Sequence, residues 1–137
     1  MLSDLDLSAI RAGALVCLVI ATPAAIIVNV LADDGSTDQT NWVYLAFIAI
    51  ITAYILGGAQ AGRRALDAPF INGATATFVA FLAVQVIGGI VRVARGDGIS
   101  PVALVFNALL AASIGAVGAW FGARRGTLEI GGGEPAG

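Results

Sequence analysis

The chain has 137 residues, of which 58% are hydrophobic and only 12% charged, with a formal net charge of −2. An ordinary soluble domain carries roughly a quarter of its residues as charges, and here all sixteen charged residues fall outside four stretches, Ala12 to Ala32, Trp42 to Gly62, Phe70 to Val91 and Pro101 to Ala123. Each stretch is near the length that crosses a hydrocarbon core, none offers the charged face that a water-exposed helix needs, and a lipid-buried backbone must close its own hydrogen bonds. The expectation is an all-α membrane protein, with four transmembrane helices packed as two antiparallel hairpins.

Met1 to Ser8 carries Asp4 and Asp6 and no basic residue. The leader therefore lacks the basic n-region of a signal peptide, and the first span reads as a retained helix with Ser8 at its cap. Within that span Cys17, the only cysteine, reads as a small apolar packing residue, Thr22-Pro23 marks a candidate kink, and Asn29 stands near the far end. The connection that follows holds Asp33, Asp34 and Asp38 without the spacing of a calcium loop. Thr40 and Asn41 then open the second span, with Trp42 and Tyr44 placed where aromatic rings anchor at an interface.

The second span ends in Gly57-Gly58-Ala59-Gln60-Ala61-Gly62-Arg63-Arg64. Asp67 with Pro69 opens the third span, which carries Gln85, and Arg95-Gly96-Asp97 reads as a plain turn. Ser100-Pro101 opens the fourth, which carries Asn107 and ends in Gly118-Ala119-Trp120-Phe121-Gly122-Ala123-Arg124-Arg125. A shift of 61 superposes the two arginine pairs, and a shift of 60 places Gly13-Ala14 on Gly73-Ala74, a hint of duplicated hairpins. The single domain is expected over residues 1–125, with a glycine-rich flexible tail over 126–137.

Sidedness follows from arginine, since lysine is absent. With both termini in the cytoplasm, the inner flanks hold Arg11, Arg63, Arg64, Arg124 and Arg125 and the outer flanks Arg92 and Arg95, the bias that topology favours. The pairs Arg63, Arg64 and Arg124, Arg125 are expected to meet anionic headgroups.

Small residues recur every four positions, at Ala49, Ala53, Gly57 and Ala61 and at Ala111, Gly115, Ala119 and Ala123. Gly58 with Gly62 and Gly118 with Gly122 add two GxxxG spacings. Without a hydrophobic force between helices in lipid, close backbone approach over such residues supplies the packing. These seams either join the four helices of one chain or face a second copy or a partner. Asn29, Gln85 and Asn107 share a depth on this topology and form a candidate polar cluster, either an interhelical hydrogen-bond group or the lining of a substrate site.

No histidine, no intramembrane carboxylate or base and no Walker-type loop is present. Catalytic residues, cofactor and metal are therefore all expected to be none, and so is a nucleic-acid partner; the expected surroundings are the lipid bilayer and other transmembrane helices. At the Gly57 to Arg63 stretch, followed by Asn72-Gly73-Ala74, the chain resembles a family of small bacterial four-span membrane proteins without assigned function. The resemblance implies a bacterial cytoplasmic membrane and brings no catalytic residues. Fluoride channels and small multidrug exporters share the span count, but their phenylalanine-polar pore motif and first-span glutamate are missing here. The expected role is a structural or accessory helix-packing subunit or homo-oligomer; the alternative is a small transporter or channel component using the Asn29, Gln85 and Asn107 region.

Overall fold

A computed structural model describes residues 4–33, 40–96 and 98–131, without the side chains of 29–33, 40 and 129–131. It consists of four helices, α1 (Leu7–Asp33), α2 (Thr40–Arg64), α3 (Pro69–Arg95) and α4 (Pro101–Gly131), and among the described residues there are no strands. All four are long and apolar enough to cross a membrane, so the chain fits a multi-pass integral membrane protein. Each helix outruns its uncharged stretch because the flanking arginines are themselves helical: Arg11 lies in α1, Arg63 and Arg64 end α2, Arg92 and Arg95 end α3. The fourth helix also continues six residues past Arg125, so the start of the expected flexible tail, 126–131, is helix; 132–137 lie outside the described residues.

The helix ends use the expected chemistry with two shifts of residue. Asp6, not Ser8, caps α1: its Oδ1 accepts the N–H groups of Ser8 at 2.8 Å and Ala9 at 3.1 Å. Ala68 rather than Asp67 occupies the cap of α3, with no side-chain cap bond, and Pro69 opens the first turn. Ser100 caps α4, its Oγ accepting the Ala103 N–H at 3.4 Å. At the end of α3, Gly96 turns left-handed with φ 81° and returns its N–H to the carbonyls of Arg92 and Val93. The aspartate loop at 34–38 and Asp97 lie outside the described residues.

The helices form two antiparallel hairpins, α1 on α2 and α3 on α4. The hairpins join mainly through α2 on α4, with thinner contacts of α1 on α3 and α2 on α3; α1 and α4 share no extended interface. The interior is made of small side chains: Ala9, Cys17, Ala53, Ala61, Ala76, Ala80, Ala111 and Ala119 are fully buried, and Phe81 is the one large aromatic enclosed. Leucine, isoleucine, valine and most aromatics point outward instead, the arrangement for a chain whose surroundings are as apolar as its core.

Glycine sets the helix separations. A Cβ at Gly13 would stand 2.5 Å from the Gly57 carbonyl oxygen and 2.9 Å from Ala61 Cβ, while one at Gly57 would stand 2.9 Å from Cys17 Cβ. The second hairpin repeats the pattern, with Gly73 against the Gly115 carbonyl and Ala119, and Thr77 against Gly115. Between hairpins, Gly58 lies on the Gly115 backbone and Gly62 on Ala119, while Gly118 lies on Ile55 and Gly122 on Ala59. Residues 58 and 118, 62 and 122, 55 and 115, and 59 and 119 are each 60 apart, so this interface maps onto itself when α2 and α4 are exchanged. The arginine pairs, 61 apart, are thus one residue out of the packing register.

Candidate functional site

The end of the bundle where α1 begins and α4 finishes gathers five of the seven arginines, and the fold gives them different surroundings. Arg64 lines a cavity of about 600 Å³ with Asp4, Asp6, Asp67 and Asn72. Arg124 lies over the Trp120 ring, its Cζ 3.9 Å from the centroid, and Trp120 meets Phe121 edge-on at 4.8 Å and 72°. That stacking is a cation–π contact one helical turn long. Arg63 and Arg125 remain together: both line a groove of about 400 Å³ on the outward side of α2. The four arginines expected to act alike therefore divide into one acid-facing, one ring-stacked and two that share a groove.

That groove exists because α1 and α4 flank α2 without meeting. Ile55, Leu56, Ala59 and Gln60 of α2 form its base, Val16 of α1 one side, and Phe121 and Gly122 of α4 the other. The close approach of Gly122 to the Ala59 backbone fixes the distance between the α2 and α4 walls. Along its length the lining is apolar, and at one end stand Gln60, Arg63 and Arg125.

Asn72 is the buried polar residue that sequence reasoning did not single out as a site. It has no exposed surface, and its amide ties the segment before α1 to the start of α3. Its Oδ1 accepts the Asp6 N–H at 2.8 Å, and its Nδ2 donates to the carbonyls of Asp4 and Ala68, each at 2.9 Å. The other fully buried polar side chain among the described residues, Thr77, donates its hydroxyl to the Gly73 and Ala74 carbonyls, both at 3.1 Å. Among the described residues no buried side-chain nitrogen or oxygen lacks a hydrogen bond. The carboxyl of Asp6 is held below its ordinary value of 3.8, chiefly by the Ala9 N–H, then by the Ser8 side chain and N–H.

Of the expected polar cluster, Gln85 and Asn107 share neither cavity beside α3. Gln85, half-buried, lines two cavities that flank α3, one of about 220 Å³ with Ala25 and Ile26 of α1 and one of about 270 Å³ with Ile99 and Leu104; Arg92 lines both. Asn107 lines neither cavity and stands exposed on α4. The Asn29 side chain lies outside the described residues. Of the seam residues, Gly57, Gly58, Gly62, Gly115, Gly118 and Gly122 are all buried against helices of the same chain. Comparison with family models, curated proteins and solved structures finds no match for this chain.

Proposed function

We propose that the chain is a non-enzymatic subunit of a bacterial cytoplasmic membrane, which associates through its lipid-facing surface with a second copy or another transmembrane protein. The glycine stripes are spent inside the chain, so association falls to the outer surface of large apolar side chains. Asn107 carries the reading. It stands exposed six residues into α4, about 9 Å along the helix. An amide at that depth faces hydrocarbon, where a partner side chain is worth about 0.6 kcal/mol and up to about 1.7 kcal/mol. The exposed hydroxyls of Thr52 and Ser113 need no such partner, because they donate to the carbonyls one turn back, Ile48 and Leu109, each at 2.8 Å.

Extraction in mild detergent followed by native mass measurement tests this. The wild-type chain is expected as an oligomer or with a co-purifying protein, and Asn107→Leu is expected to shift the population toward monomer. A wild-type chain that is monomeric and alone under those conditions overturns the proposal.

A transport role is the second reading, supported by Gln85 and Arg92 lining both cavities beside α3. Vesicles carrying the purified chain and loaded with small inorganic ions should then leak, and Gln85→Leu should stop the leak without loss of folded protein.

A further inference from the structure

We infer that the groove on the outward side of α2 is a binding site for one acidic glycerophospholipid, its phosphate held between Arg63 and Arg125 and one acyl chain lying along Ile55, Leu56 and Phe121. Generic attraction to an acidic membrane surface would use every arginine at this end of the bundle equally. The fold does not present them equally. Arg64 lines a different cavity, and Arg124 does not line the groove. Arg63 and Arg125 come from different helices and converge on one groove, although Arg63 ends α2 and Arg125 is six residues from the end of α4.

Shape and charge both select the occupant. The lining below the arginines, Val16, Ile55, Leu56, Ala59, Phe121 and Gly122, is apolar and belongs to the membrane-crossing part of three helices. An acyl chain fits there, and a hydrated ion or a peptide with free backbone polar groups does not. Two arginines in the lining match a phosphodiester, since a guanidinium presents a planar fork of donors to anionic oxygens. Gln60, beside Arg63 in the lining, supplies an amide that can donate to a headgroup hydroxyl or phosphate oxygen. An uncharged or zwitterionic headgroup satisfies the pair less well, because the choline or ethanolamine cation is repelled by the same two charges. The site is independent of the association proposed above, since it lies on α2 and the side of α4 that faces it and is complete within one chain.

Native mass measurement of delipidated protein titrated with phosphatidylglycerol, phosphatidylcholine and inorganic phosphate tests the assignment. One tightly held phosphatidylglycerol per chain is expected, with phosphatidylcholine bound about ten-fold more weakly and inorganic phosphate not retained. Arg63→Gln with Arg125→Gln should lower phosphatidylglycerol affinity about ten-fold or more. The matched pair Arg92→Gln with Arg95→Gln, at the other end of the bundle, should leave it unchanged. Leu56→Trp, which fills the exposed groove and keeps both charges, should weaken lipid binding as well. Equal loss from the two arginine pairs would reduce the effect to general charge and overturn the site. So would equal binding of the two lipids, retention of phosphate without an acyl chain, or full binding by Leu56→Trp. These readouts do not depend on whether the wild-type chain is monomeric.

Discussion

Asn72 illustrates how much a single amide can organise when its partners are main-chain atoms distant in sequence. Its three bonds connect Asp4 and Asp6 to Ala68, so the leader is fastened across the entry of α3 and α1 starts at a fixed place. Replacing it with alanine leaves the Asp6 N–H and the Asp4 carbonyl without that partner in a half-buried position. Asn72→Ala should cost about 2–3 kcal/mol of stability and speed hydrogen exchange in residues 4–10, whereas Thr75→Ala, on the half-buried side of the same helix, should do neither. The sequence showed the asparagine but not its task, because the backbone it meets lies 66 and 68 residues away and leaves no spacing to read. The Asp6 cap beside it carries a pH dependence of known sign. A carboxyl whose folded value lies below 3.8 contributes its full stabilisation above the unfolded value and loses it as pH falls through the folded one. Exchange of the Ser8 and Ala9 amides should therefore accelerate, after correction for intrinsic rates, only below about pH 3.8. Asp6→Asn, which keeps an oxygen acceptor, should remove that acceleration.

At the scale of the helices, spacing was the informative signal and orientation around the axis the missing one. The four-residue recurrence of glycine and alanine marks the arcs that meet: Gly58 and Gly62 reach α4, Gly118 and Gly122 reach α2, and Gly13 and Gly73 hold each hairpin. Large apolar residues on every other side of a membrane helix erase the amphipathic contrast that orients a soluble one, so Gln85 and Asn107 could be assigned a depth and not a face. The small-residue arc supplies the face: Ala108, Ala111, Gly115, Gly118 and Gly122 are buried, and Asn107 stands exposed at the edge of that arc. Helical glycines that look alike in sequence consequently differ in function. A Cβ on Gly122 would collide with the Ala59 carbonyl, and one at Gly88 meets nothing within 4 Å. Gly122→Ala should cost about 1–3 kcal/mol through forced separation of α2 and α4, and Gly88→Ala should stay within about 0.5 kcal/mol of wild type. Reversible unfolding in mixed micelles, followed by helix signal, measures both; equal effects would mean that close approach at this seam is not what holds the hairpins together.

For the molecule as a whole, the antiparallel hairpins collect charge at one end without any single helix being strongly charged. The pairing of Gly13 with Ala61 and of Gly73 with Ala119 brings Arg11, Arg63, Arg64, Arg124 and Arg125 to the end where α1 begins, and leaves Arg92 and Arg95 at the other. Four uncharged spans were legible from composition because hydrocarbon tolerates no charged face; which end faces the cytoplasm is a separate matter, decided during insertion by the basic flanks. The bias of five to two predicts that the arginine-rich end is cytoplasmic. Cysteine labelling resolves it, since Cys17 is fully buried against Gly57 and should stay silent toward a maleimide in the folded protein. In a Cys17→Ala background, Asp67→Cys reports the α2–α3 connection and Gly98→Cys the α3–α4 connection, both of these positions being exposed. A membrane-impermeant maleimide added to intact cells stripped of outer barriers should label the residue at 98 and spare the one at 67 until the membrane is opened. The reverse pattern would invert the protein and place the Arg63 and Arg125 groove in the outer leaflet, whereas labelling at both positions in sealed membranes would mean that the four helices do not hold one orientation.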